Sequence, residues 1–288
     1  MTSPGDVARL LDSTGYLADD GLATVTYLAL AMQRPLLLEG EPGTGKTALA
    51  EALAESLDVP LLRLQCYEGI DATQALYDWD FPRQILHLRA LEAGGGGSDV
   101  EEAEKSLYDE RFLLARPVLA ALQKSPALLL VDEVDRADDE FEAFLLEVLS
   151  TSQVSIPELG TVKAATPPVV VLTSNRTREL HDALKRRCLY HWIEHPGLER
   201  ELQIVRSRAP EVSQALARQV VEVVQQLRGR DLTKPPGVAE TIDWARSLHH
   251  LGTGELDLES AATTLGALVK YREDSDRVKH ALDQLLRA

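Results

Sequence analysis

Two short stretches carry residues whose types and spacing suit phosphate chemistry. The first is GEPGTGKT, made of Gly40, Glu41, Pro42, Gly43, Thr44, Gly45, Lys46 and Thr47, and it fits the pattern G-x-x-x-x-G-K-[ST]. Small residues let the main chain fold so that successive N–H groups point inward at a phosphate. A helix opening at Lys46 adds the positive end of its dipole to the same spot. Lys46 brings a point charge to the β- and γ-phosphate oxygens, and Thr47 offers a hydroxyl to Mg²⁺. The bland alternative is a glycine-rich turn with a chance Lys-Thr. The flanking text speaks against it, since PLLLEG before the loop reads as a strand and TALAEAL after it as a helix. Together these residues predict ATP as ligand and Mg²⁺ as cofactor.

The second stretch is LLLVDEVD. Leu128 to Val131 read as a strand that delivers Asp132 and Glu133 at its C-terminal end, where open α/β sheets bind ligands. Asp132 is expected to hold Mg²⁺, usually through water, and Glu133 to polarise the water that attacks the γ-phosphate. Two acids ending a strand would alone be ordinary, but the phosphate loop upstream gives them a task. PVVVLTSN ends in Asn175, which is expected to hydrogen-bond the γ-phosphate or the lytic water, although Asn at a strand end is commonly turn chemistry. ELHDALKRRCLY places Arg186 and Arg187 in the last turn of a helix, where basic residues complement the helix dipole. The sharper reading is an arginine finger, Arg187 ahead of Arg186, that reaches a neighbouring subunit's ATP and contributes about 10³ to 10⁵ in rate.

Positioning these groups requires a sheet. Five strand candidates appear: PLLLEG, VPLLRLQC, ALLLVDEV, PVVVLTSN and LYHWIE. Most have near-continuous apolar cores, as strands buried on both faces should, and helical patterns lie between them. TALAEALAESL aligns Leu49, Leu53 and Leu57 on one face, and DDEFEAFLLEVL aligns Phe141, Leu145 and Val148. Two insertions break the rhythm. AGGGGSDVEEAEKS, from Ala93, reads as a mobile loop running into a helix, and QVSIPELGTVKA, within 153–164, reads as a hairpin. After Pro196 only helices are expected: GLERELQIVRSRA, VSQALARQVVEVVQQL, VAETIDWARSLHHL, LESAATTLGALVKY and a final turn, with RGRDLTKPPG as a break. The chain therefore divides into an α/β core over 1–194, with an N-terminal helix and an insertion near 67–110, and a helical domain over 195–288.

Composition narrows the function classes. With 46 acidic against 30 basic residues, a net charge of -16 argues against a surface built to neutralise a nucleic-acid backbone, though a local basic pore stays open. Cys66 and Cys188 have no short-spaced partner, so neither a disulfide framework nor a zinc site is readable, and a reducing cytoplasm is the simplest setting. MTSPGDVARLLDSTGY lacks the features of a secretory signal, and no apolar run approaches the roughly 18 residues of a membrane helix.

Taken in order, GEPGTGKT, LLLVDEVD, TSN, the Arg186–Arg187 pair and an all-helical tail make the chain, from about Asp20 to its end, resemble AAA+ ATPases of the MoxR type. QVSIPELGTVKA is similar to that family's pre-sensor hairpin. The resemblance implies an α/β P-loop NTPase core with a five-stranded parallel sheet of order 5-1-4-3-2 and a smaller all-α lid. It also implies a homo-oligomeric ring, usually a hexamer, with ATP sites between subunits. The implied work is that of a chaperone which hydrolyses ATP to assemble or activate other protein complexes, often a client metalloenzyme, together with a von Willebrand factor A domain protein. CYEGIDATQALYDWDFPRQIL is most similar to the branch that includes the ATPase of aerobic carbon monoxide dehydrogenase gene clusters, which helps mature a molybdenum–copper centre.

Where many relatives begin a lid helix with a sensor-2 arginine, this sequence has Ala239, Glu240 and Thr241, and the nearest arginine is Arg246. Tyr77, Trp79 and Phe81 stand where such rings often face a pore and grip a polypeptide; filling the local core beneath the insertion is the other reading and the one favoured. His249 and His250 read as lid-surface residues. Two rival functions are a nucleic-acid motor or restriction-type NTPase, which the acidic composition disfavours, and a monomeric P-loop kinase, which needs no partner's arginine.

Overall fold

The computed structural model describes residues 2–93 and 106–286. Side-chain caps set the start of the chain: Ser3 opens a helix at Pro4–Asp12 through a capping box with Asp6, and Asp19 caps a second at Asp20–Met32. Two helices thus precede the first strand where the sequence predicts one.

The apolar runs become strands β1 (Leu36–Gly40), β2 (Leu61–Gln65), β5 (Leu128–Asp132), β8 (Val169–Ser174) and β9 (Leu189–Ile193). They form one sheet in the order β2-β5-β8-β1-β9, every neighbouring pair parallel. Counted along the core this is 2-3-4-1-5, the order the resemblance implies read from the other edge. Period-two alternation sends Leu36 and Leu38 to one face and Leu37 to the other. The first face packs on the two N-terminal helices and on Leu49 and Leu53 of the helix Lys46–Ser56. The second packs on the helices Pro117–Gln123 and Asp139–Thr151, the latter through Phe141, Leu145 and Val148. Because every neighbouring pair is parallel, all the strand C-termini come out at one rim.

Between β2 and β5 the chain adds a helix (Ala72–Leu76), strand β3 (Tyr77–Trp79), a helix (Phe81–Ala93) and strand β4 (Leu113–Ala115), with β3 and β4 pairing antiparallel. The glycine-rich and acidic stretch at 94–105 lies outside the described residues. The aromatic trio splits. Tyr77 and Trp79 are half-buried and meet edge-on at 6.0 Å, Trp79 also meets Tyr108 at 5.3 Å, and Phe81 is 61% exposed. The expected hairpin is present as β6 (Gln153–Ile156) paired with β7 (Gly160–Lys163).

Beyond β9 the described residues form helices only: Leu198–Arg208, Gln214–Arg228, Val238–His250, Leu258–Thr263, Leu265–Leu268 and Arg272–Leu285. They close their own core around fully buried Trp244. Two expectations need correction. LESAATTLGALVKY is not one helix. It breaks at Thr264, whose hydroxyl accepts from the Trp244 indole N–H and donates to the Ser260 carbonyl, each at 2.7 Å, so the side chain competes with the helix ladder. The final turn is instead a helix of 14 residues that buries Val278, Ala281 and Leu282, a stripe too sparse to read in a charged segment. Deep in the lid, Glu201 receives Arg228 through two nitrogens at 2.6 and 2.7 Å, Gln225 at 2.6 Å and Thr241 at 2.7 Å.

Both cysteines are buried free thiols, and burial pushes each up to about 12, out of the reactive range. No helix among the described residues is long and apolar enough to cross a membrane.

Candidate nucleotide site

The loop between β1 and the helix Lys46–Ser56 turns on residues in the left-handed region. Gly43 has φ 78° and Gly45 φ 93°, conformations that an L side chain resists. Lys46 opens the helix and turns back over this loop, its ammonium donating to the carbonyls of Gly40 and Glu41 at 2.8 Å each. Burial pushes the Lys46 ammonium below its ordinary value, against the opposing field of Asp135, Glu41, Asp132 and Glu133.

Thr47 and Asp132 meet directly. The Thr47 hydroxyl donates to Asp132 Oδ1 at 3.1 Å, and Thr173 donates to the same oxygen at 2.5 Å. Arg63 of β2 holds Asp132 Oδ2 at 2.6 Å. Glu133 follows with φ 55°, a strained conformation for a side-chain-bearing residue, and its N–H is fixed by the Thr173 hydroxyl at 2.9 Å. Its carboxylate takes Gln65 at 3.0 Å and Arg136 at 2.9 Å on one oxygen, and Asn175 at 3.4 Å on the other. Asp135, only 2% exposed, ties down the turn after β8 by accepting from the Asn175 N–H at 3.2 Å and the Thr177 N–H at 2.8 Å. The structure thus brings Lys46, Thr47, Asp132, Glu133 and Asn175 to one rim.

These groups open into a cleft of about 1040 Å³ between the sheet and the lid, lined by the phosphate loop together with Tyr16, His195, Arg200 and Val238. The lid rests on the loop itself. The Val238 N–H donates to the Gly43 carbonyl at 3.0 Å, and a Cβ on Gly237 would fall 2.8 Å from Gly43 Cα. Arg200 bonds the Leu17 carbonyl across the cleft. Desolvation pushes the buried Tyr16 phenol above its ordinary value, and burial pushes His195 down, with Arg228 acting in the same direction. Arg246 does not line the cleft; it pairs with Glu211 at 3.1 Å.

Arg186 and Arg187 stand apart. Both are exposed, lie outside the cleft and have no ion pair among the described residues. Their helix, Asp182–Arg187, is capped by Arg34, whose guanidinium donates to the Arg186 carbonyl at 2.8 Å and to the Arg187 carbonyl at 3.0 Å.

Mg²⁺ favours one or two carboxylates with phosphate and water oxygens over an all-protein cage. The Thr47 hydroxyl beside the Asp132 carboxylate fits that preference, and no cluster of three or more His, Cys, Asp or Glu able to hold a metal occurs among the described residues. A family profile, the AAA domain of the dynein-related subfamily, matches residues 35–188, which spans the loop, the acids, Asn175 and the arginine pair.

The chain belongs to this AAA family.

Similar proteins within reach include an uncharacterized protein of Staphylococcus saprophyticus, 22% identical over 260 residues and covering 88% of each chain. Midasin of Giardia intestinalis is 35% identical over 117 residues, which are 35% of this chain and 2% of midasin. Among solved structures, a mutant of RuvB from Thermotoga maritima covers 92% of this chain and 70% of its own, at 15% identity and a TM-score of 0.49. The matched AAA domain implies nucleotide binding, and the parallel sheet, all but β9, lies within it.

Several residues escaped the sequence reading: Arg63, Thr173, Tyr16 and Arg200, which line the cleft, and Gln65, Asp135 and Arg136, which bond its acids and Asn175. For the β2 pair a signal existed. Arg63 and Gln65 are polar at alternate positions of LLRLQ, so they share a face, and the register sets Gln65 opposite Asp132. Asp135 and Arg136 follow the acids in a short 3₁₀ turn that has no periodic signature.

Proposed function

We propose that this chain is an ATPase of the AAA+ type that binds ATP with Mg²⁺ and hydrolyses it at the rim of its sheet. The observation that carries this reading is the convergence of Thr47 on Asp132 at 3.1 Å and of Asn175 on Glu133 at 3.4 Å above the glycine-rich loop. The loop N–H groups receive the phosphates, joined by Glu41, Pro42, Thr44 and the flanking glycines as the walls of the cradle. Lys46 exchanges its carbonyl partners for β- and γ-phosphate oxygens. Thr47 and Asp132 would hold Mg²⁺, which when bound neutralises charge on the phosphates. Glu133 accepts the proton of the attacking water, and Asn175 orients that water.

Arg187, with Arg186 beside it, is exposed and lies outside the lining of its own cleft, which supports a finger role in a neighbouring subunit and hence a homo-oligomeric ring, a hexamer in the resemblance. The finer role is read from the sequence resemblance. It is a cytoplasmic MoxR-type chaperone that remodels a client metalloenzyme with a von Willebrand factor A domain protein, in the branch that matures a molybdenum-containing carbon monoxide dehydrogenase.

The test of the site is ATP affinity in Lys46→Ala, measured by fluorescence titration. Loss of tight binding is expected, and unchanged affinity would remove the loop from its role. The client is tested by recovering proteins retained by a Glu133→Gln variant in native extract with ATP. Retention of nucleic acid in place of a metalloenzyme would overturn the chaperone reading.

A further inference from the structure

Asp132 is 3% exposed, so its charge needs partners within the protein. Its Oδ1 is taken by Thr173 at 2.5 Å and Thr47 at 3.1 Å. Its Oδ2 carries a long contact to Thr47 at 3.4 Å and a short charged bond to Arg63 at 2.6 Å. A hydrated Mg²⁺ anchored by this carboxylate would need a free acceptor position on it, and Oδ2 is the oxygen that Thr173 does not bond. A guanidinium on that oxygen competes with the cation twice: it fills the acceptor, and it sets like charge beside a divalent ion.

Arg63 is built to be removable. Its side chain is 49% exposed, it meets Asp132 through a single nitrogen, and its other bond is to the side-chain amide oxygen of Gln65 at 3.0 Å. Most of the five guanidinium N–H groups can therefore stay with water when it swings out. We infer that Arg63 is an internal counter-ion which neutralises Asp132 in the metal-free centre and gives way when a divalent cation enters with nucleotide. This rests on the reading of the cleft as an ATP and Mg²⁺ site. Arg63 thereby sets how much metal the centre demands: the acids stay paired until phosphate oxygens supply the rest of the coordination shell.

Mn²⁺ with ADP is the probe, its bound fraction read by electron paramagnetic resonance without reliance on turnover. Arg63→Gln should tighten Mn²⁺ binding in the ADP complex by about ten-fold, the scale on which groups bonded to metal ligands act. Arg63→Lys, which keeps the charge without the fork, should fall between. Unchanged or weaker Mn²⁺ binding in Arg63→Gln overturns the inference. A second measurement needs no variant. In the wild-type protein at constant ADP, phenylglyoxal should label Arg63 faster with Mn²⁺ than without, as followed by mass spectrometry; an equal or slower rate overturns it. If the wild type takes up no Mn²⁺ with ADP, or Lys46→Ala takes it up equally, the site reading itself falls and this inference with it. Normal uptake with no effect at Arg63 sinks the inference alone.

Discussion

In the lid, Arg228 and Glu201 are 8% and 0% exposed and meet through two nitrogens, with Thr241 and Gln225 filling the remaining acceptor positions. In the cleft, Arg63 and Asp132 meet through one nitrogen, and the guanidinium is half in water. The two pairs share their chemistry and differ in hydration. Removing both charges from water leaves each dependent on the other, so the lid pair is a fixed strut among the helices Leu198–Arg208, Gln214–Arg228 and Val238–His250. Leaving the arginine wet lets another cation replace it at little cost. Arg187 stands at the end of the series: it is exposed and has no ion pair among the described residues, as the proposed finger role would require.

Breaking the free end of the series has the largest expected effect. Arg187→Ala should lower ATP turnover by about 10³ to 10⁵. Mixed with Lys46→Ala subunits it should recover part of that rate if the proposed ring forms, because mixed rings would then contain intact loops facing intact fingers. Steady-state hydrolysis across mixing ratios checks this, and a flat, inactive profile would mean that Arg187 is a helix-end cation and no more. Next in size is Glu133→Gln, expected to lower kcat by about 10² to 10⁴ while ATP still binds. Neutralising Glu133 also frees Arg136, now 2.9 Å from it, so rapid hydrolysis by this variant would show the carboxylate serves only to hold that arginine.

The locked end is tested through stability. Glu201→Ala strands the buried Arg228 charge and should cost about 3–5 kcal/mol, read as an earlier unfolding midpoint in urea. Asp132→Ala should cost clearly less, because Arg63 retains its water. Equal losses at the two sites would erase the distinction between strut and exchangeable pair.

How legible these pairs were follows from the range over which a sequence speaks. Gly40 to Thr47, Asp132, Glu133 and Asn175 stand in local patterns of strand, turn and helix, and the parallel sheet followed from apolar runs buried on both faces, whereas its strand order came only from the family resemblance. The polar alternation of LLRLQ marked Arg63, but its partner stayed hidden, 69 positions away and joined only by strand register. Arg228 and Glu201 sit on different helices whose packing no periodicity reveals. The break at Thr264 depended on an indole 20 positions away. The described stretch around Tyr77 and Trp79 likewise turned on a contact with Tyr108, beyond the reach of a local window.

The smallest expected effect separates Lys46 from every arginine in the comparison. A guanidinium keeps its charge at any accessible pH, whereas a buried ammonium can yield its proton. Burial holds Lys46 below its ordinary 10.5 in the nucleotide-free protein, so over the alkaline window beneath that value the folded state binds less proton than the unfolded chain. From this group alone, stability without nucleotide should therefore rise with pH across the window. Phosphate oxygens favour the charged form, so ATP binding takes up a proton there and affinity should fall as pH rises, by at most about ten-fold per unit for one proton. Titrating ATP affinity at several alkaline pH values in wild type and in Lys46→Arg separates the cases: the slope should vanish in the arginine variant. A slope shared by both proteins would assign the titration to another group and leave Lys46 as fixed in charge as the arginines around it.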